Sequence, residues 1–157
     1  MKVSFLPMTE QRFATYVSRA ITEYASDKVK AGNWDADTAL ERSRSEFHRY
    51  LPQGAQTPGH SLCCILNEAH EEVGVIWYGT LDNAKNVLFL YDFEVHENYR
   101  GKGYALQSLQ ELEKVAKENN CEHIELHVFG YNVAAQNLYL KAGFTITNIN
   151  MRKIIKK

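Results

Sequence analysis

From Val95 to Gln107 the chain reads VHENYRGKGYALQ, setting Arg100, Gly101, Lys102 and Gly103 between an apolar run and a segment of helical periodicity. Glycines at a strand-to-helix junction let the backbone come close to a bound group. The free N–H groups of the first helical turn then face that group, and the helix dipole favours negative charge. Arg100 and Lys102 add to that preference, so the turn suits a phosphate or pyrophosphate; a plain tight turn with two solvated basic residues is the alternative. A second cluster, His123, Glu125 and His127, shares one face of a strand. At ~3.3 Å per residue its two histidines stand ~13 Å apart, too far to share one zinc ion. Cys63 and Cys64 read as packing residues of a strand rather than nucleophiles.

The elements that must hold these residues follow from periodicity. Phe13, Tyr16, Val17, Ala20, Ile21 and Tyr24 give a helix over residues 9–27. A second helix covers 34–51, with Asp35 or Asp37 as N-cap and Leu40, Arg44, Phe47 and Leu51 on its apolar stripe. PQGAQTPGH is a loop. SLCCIL and VGVIWYG are strands joined by the turn NEAHEE; TLDNAKN is a further turn. VLFLYDFEV is apolar enough for mid-sheet. Its alternation puts Asp92 and Glu94 on one face and Tyr91, Phe93 and Val95 on the other. A helix from Gly103 to Asn119 buries Ala105, Leu109, Leu112 and Ala116. HIELHVF is a strand, Asn132 to Ala142 a short helix ended by Gly143, and FTITNINMRKII a closing strand. The strand–helix–strand piece demands a parallel crossover and the earlier strands antiparallel pairing, so the sheet is mixed and the class α/β.

The chain has 157 residues, enough for a single domain over 1–157 with its own core. Its net charge of −1 offers no general attraction to nucleic acid or an anionic membrane. No apolar run reaches the length of a membrane span, and the N-terminus lacks a signal-peptide core. Three cysteines without a CxxC pair suggest neither a disulfide framework nor a zinc cluster, and a reducing, cytoplasmic compartment is expected.

Three phosphate-binding patterns can be tried on the turn. GxxxxGK[ST] is absent. The dinucleotide fingerprint fails because GKGYAL puts Leu106 at its third position, late in a chain too short for two nucleotide-binding halves. The pattern [QR]xxGx[GA] fits RGKGYA, from Arg100 to Ala105. With Asn132, Ala135, Tyr139 and GF following at the proper distance, residues 89–144 resemble the GNAT superfamily of N-acetyltransferases, in its bacterial form. Ala105 departs from the glycine commoner at the last motif position.

The resemblance implies a GNAT-type fold: a mixed, mostly antiparallel sheet with a splayed pair of parallel strands, flanked by helices. It implies acetyl-CoA as cosubstrate, its pyrophosphate on the amides of Arg100, Gly101, Lys102, Gly103, Tyr104 and Ala105. Phe93 and Val95 would pair with the pantetheine arm, and the Val95 N–H would polarise the acetyl carbonyl. Asn132, an N-cap on the bland reading, would also touch the pantetheine region. Tyr139 would protonate the departing thiolate, since a phenol near pKa ~10 can serve a thiol near ~8.5. Glu94 is the candidate base, with water or an already neutral amine as alternatives. The acceptor pocket would be lined by Glu23, Tyr24, Trp34 and His60, with a carboxylate and aromatic walls suited to a cationic amine. The expected reaction is direct attack of a primary amine, of a small molecule or a protein, within a ternary complex. A non-catalytic acyl-CoA-binding sensor is the rival. A homodimer and a monomer are both compatible with the sequence.

Overall fold

The structure, a computed structural model, describes residues 2–81 and 84–156. Nine elements follow in order: β1 (Ser4–Pro7), α1 (Glu10–Lys30), α2 (Ala36–Tyr50), β2 (His60–Leu66), β3 (Glu72–Leu81), β4 (Ala84–Val95), α3 (Tyr104–Glu118), β5 (His123–Leu126) and α4 (Val133–Lys141). The sheet runs β1-β2-β3-β4-β5. All neighbours are antiparallel except β4 and β5, which are parallel from Val87/His123 to Leu90/Leu126. This is the mixed α/β architecture that the residue pattern predicts.

The two faces of the sheet carry separate cores. On one, Leu109, Leu112 and Ala116 of α3 pack on Ile65, Val73, Ile76 and Leu88. On the other, Tyr16 and Ala20 of α1 pack on Leu62, Cys64, Val75 and Trp77. Thr9 caps α1, its hydroxyl accepting the Arg12 N–H at 3.1 Å. Gly103 opens α3 from a left-handed conformation, φ +91°. Cys63 and Cys64 are buried in these cores, and burial pushes their thiols up to about 11 and about 12.

Four expectations are revised. The stripe of α2 is rotated: Ala39 and Ser43 face inward while Leu40 is 45% exposed. Small residues at that seam let α1 and α2 approach closely, and the Ser43 hydroxyl donates to the Ile21 carbonyl at 2.7 Å. Residues 4–7, too short to show a period, form the edge strand β1, where Pro7 is tolerated. Residues 144–156 join no strand, and Ile146, Ile149, Met151, Ile154 and Ile155 are 63 to 93% exposed. The alternation that begins at Phe144 and Ile146 changes phase before Ile149 and Met151, so the segment presents no continuous apolar face. Arg152 instead donates to the Gly32 carbonyl at 2.7 Å. The turn expected over 80–86 is narrower, because β3 reaches Leu81 and β4 begins at Ala84; its centre, residues 82–83, lies outside the described residues.

Candidate active site

The parallel pairing ends at Leu90 and Leu126, while β4 runs on to Val95. Past that point the two chains part. The His96 N–H donates to Val73 on β3 at 2.8 Å. Successive strand amides alternate in direction, so the Val95 amide points to the other, vacated side. The chain then makes a short turn at Glu97–Tyr99 and passes through Gly101 (φ +74°) and Gly103 into α3. Arg100 Nε reaches back to the Val95 carbonyl at 2.8 Å. The loop is braced from outside: the Tyr99 hydroxyl donates to Glu71 at 2.9 Å, and Lys102 lies 5.7 Å above the Tyr99 ring. Tyr104 accepts a long bond from Asn67, 3.4 Å. The opening amides of α3 have no partner one turn back, so the loop offers a row of donors beside two basic side chains.

Where β4 and β5 part, a cavity of about 390 Å³ opens between the sheet and the helices α1 and α2. Its walls are aromatic: Tyr24, Phe47, Tyr50, Trp77, Tyr91 and Phe129. Trp77 and Tyr91 stack at 4.6 Å and 15°. Four carboxylates, those of Glu23, Asp27, Glu46 and Asp92, line it against one lysine, Lys28. His127 also lines it; burial and the Lys28 charge lower its pKa, favouring the neutral ring. Such a cavity favours a cation with apolar stretches.

Tyr139 and Asn132 close one end of the cavity. The Asn132 side chain accepts the Ala135 N–H at 3.1 Å and so caps α4 while lining the cavity. Burial, and secondarily the Asp92 charge, push the Tyr139 phenol up to about 12. It therefore holds its proton throughout the neutral range.

The sheet register explains which carboxylate enters. Trp77 pairs with Asp92 but Tyr78 pairs with Leu90, leaving Tyr91 as a bulge. The bulge breaks strict alternation. Tyr91, expected beside Phe93, instead stacks on Trp77 on the α1 side, which Asp92 and Glu94 also face. Asp92 accepts the Tyr16 hydroxyl at 2.6 Å. Burial raises its pKa, an effect the Tyr16 bond partly offsets. Glu94 is engaged by Arg19 at 3.3 Å and Arg100 at 3.5 Å, and it is not among the lining residues.

Of the residues expected to meet the acceptor, Glu23 and Tyr24 line the cavity and Trp34 and His60 do not. Trp34 sits behind Tyr24, edge to face at 5.6 Å, packed on Ala25 and Ala39. His60 accepts the Trp77 indole N–H at 3.0 Å and so orients a wall. Phe93 and Tyr139 come together at the parted strands, with Val95 one step further along β4. Asp92, Phe47, Trp77, Tyr91 and Phe129 were not predicted; only the polarity of Asp92 within an apolar run hinted at it.

A glycine turn feeding a helix, a strand end parted from its parallel neighbour, and a phenol beside that opening are the features that the acetyltransferase resemblance leads one to expect. Residues 27–144 match the model of the acetyltransferase (GNAT) family, and the chain belongs to that family as an N-acetyltransferase. Family members use acetyl-CoA. The chain is 36% identical over 154 residues to YycN, an uncharacterised N-acetyltransferase of Bacillus subtilis, spanning 98% of this chain and 99% of that one. The crystal structure of YycN superposes with a TM-score of 0.93, at 34% identity, covering 99% of this chain and 100% of that chain. A spermine/spermidine N(1)-acetyltransferase of the same organism is 29% identical over 121 residues, 71% of this chain and 72% of the relative. Among the described residues no helix is long and apolar enough to cross a membrane.

Proposed function

We propose that this protein transfers the acetyl group of acetyl-CoA to a primary amine of a small molecule that carries more than one positive charge. The observation that carries this reading is the cavity: four carboxylates against one lysine, with aromatic walls, opening at the parted ends of β4 and β5. Flexible aliphatic polyamines combine several ammonium groups with apolar stretches and match both features. The similarity to a spermine/spermidine N(1)-acetyltransferase favours the same class.

In this reading the amides from Gly101 to Ala105 hold the pyrophosphate, since the Arg100 N–H already donates to the Glu97 carbonyl at 3.2 Å, and Phe93, Val95 and Asn132 guide the pantetheine arm. The Val95 N–H stabilises the oxyanion as the amine attacks the thioester carbon. The C–N bond forms, the C–S bond breaks, and Tyr139 gives its proton to the leaving sulfur. The buried Cys63 and Cys64 take no part, and suit a reducing cytoplasm.

The test is thiol release from acetyl-CoA across a panel of amines: spermidine, spermine, aminoglycosides, amino acids, simple alkylamines and lysine peptides. Polyamines should give the highest kcat/KM. Preference for a neutral or anionic amine would overturn the substrate class. CoA binding without thiol release from any amine would support a sensor.

A further inference from the structure

We propose that Asp92, held in place by Tyr16, is the group that removes the proton from the acceptor amine. The inference rests on the transferase reading above and adds to it a residue for the acceptor side of the reaction.

The geometry singles out this carboxylate. The bulge at Tyr91 brings Asp92 opposite Trp77 and onto the α1 side of the sheet. There it lines the same cavity as Tyr139. The Tyr16 hydroxyl fixes one carboxylate oxygen, Oδ2, at 2.6 Å. Tyr16 is 6% exposed and belongs to the α1 core, so the bond is made by a side chain that packing holds still. Glu94, two residues on, carries its charge between two guanidinium groups outside the cavity. Glu23 lines the cavity but is engaged in a 2.7 Å ion pair with Arg19.

The proton accounting closes. An ammonium group entering the cavity gives one proton to the Asp92 carboxylate and becomes a nucleophile. The amine nitrogen then bonds to the acetyl carbon while sulfur departs and takes the Tyr139 proton. The second proton on nitrogen restores the phenol, and Asp92 returns its proton to solvent. Tyr16 is a positioning residue and moves no proton in the net reaction.

The charged and titratable groups facing Asp92 are Tyr16 and Glu23 from α1, Glu94 from its own strand and Tyr139 from α4. Burial above all raises its pKa, the Tyr16 bond lowers it, and the two glutamates add smaller upward pushes. Loss of that bond therefore moves the acid limb of activity to higher pH.

The experiment compares wild type, Asp92→Asn and Tyr16→Phe, with spermidine and with trifluoroethylamine, an amine already neutral at pH 7. Asp92→Asn should lower kcat/KM for spermidine about 10²-fold or more at neutral pH. The defect should shrink as pH rises toward the pKa of the amine, and be only severalfold with trifluoroethylamine. Tyr16→Phe should shift the acid limb of kcat/KM upward. Equal losses on both amines, with a melting temperature matching wild type, would overturn the proton role. So would an Asp92→Asn enzyme as active as wild type on spermidine. Wild type without thiol release on any amine overturns the transferase reading as well, which separates the two failures.

Discussion

Arg100 Nε donates to the carbonyl of Val95 at 2.8 Å, tying the glycine loop back to the end of the strand it leaves. The bond joins the two regions assigned to the cosubstrate, the loop for pyrophosphate and the strand end for the thioester. The same guanidinium lies 3.5 Å from Glu94, so one side chain sets both the loop and a neighbouring carboxylate. Arg100→Ala should raise the KM for acetyl-CoA by about tenfold, as expected for one partly exposed charge-assisted bond. Arg100→Lys should not restore it, because a point ammonium cannot bridge two acceptors as a planar fork does. An unchanged KM in steady-state kinetics would remove Arg100 from the loop's design.

Tyr139 combines burial with a phenol pushed up to about 12. A general acid must still carry its proton at the working pH, and this one does with a wide margin. Tyr139→Phe should lower kcat about 10²-fold while the acetyl-CoA dissociation constant changes less than about threefold. In wild type, kcat should show no basic limb from this group between about pH 8 and about pH 10, where an unperturbed phenol would begin to ionise. A falling limb there that disappears in Tyr139→Phe would contradict the burial-shifted phenol.

What the residues revealed in advance, and what they hid, divides by range. Local periodicity was enough for four helices and for the strands β2 to β5, because each lies in a run that repeats its apolar spacing over several residues. The spacing from Arg100 to Ala105 was enough to mark the glycine turn that opens α3, because such a turn is set by local backbone chemistry. Phe144 to Ile155 shows the opposite case: strand-like composition with a phase change, and no strand. The lining of the cavity was harder. Glu23 and Tyr24 were legible as a carboxylate next to an aromatic ring on a helix. Trp34 and His60 looked equally suitable but stand behind the wall, since sequence gives residue type and not depth. Asp92 was hidden by the bulge, a one-residue register slip made by pairing with β3 and invisible along β4 itself.

Gly101 and Gly130 make a matched pair for measuring backbone strain in the loop. A methyl group at either position would meet nothing within 4 Å, but only Gly101 has a positive φ, +74°. Gly101→Ala should cost about 1–2 kcal/mol, the penalty of a left-handed L-residue. Across a chain of this size that is a fall of about 2–8 °C in melting temperature. Gly130→Ala should melt within about 1 °C of wild type, since its conformation is open to any residue. Equal shifts in the two variants would mean that the loop relaxes out of the left-handed region.

The last prediction concerns acid stability and the brace between α1 and β3. Arg12 grips Glu72 with two bonds, Nε to Oε1 and Nη2 to Oε2, each 2.9 Å, and His96 meets the same carboxylate at 2.6 Å. The Arg12 bonds hold the Glu72 carboxyl at about 2, well below its ordinary value, in spite of partial burial. A lowered folded-state pKa stabilises the fold above the unfolded pKa, near 4.5. That stabilisation drains away as pH falls from there through about 2. Both side chains are about 30% exposed. Solvent therefore screens the pair, and its worth is on the order of 1 kcal/mol. Glu72→Gln should lower the melting temperature at pH 7 by about 2–4 °C. The gap to wild type should narrow steadily below about pH 4.5. Melting curves collected down to about pH 2 check the sign: a gap that widened on acidification would mean that another group, not Glu72, carries the acid sensitivity.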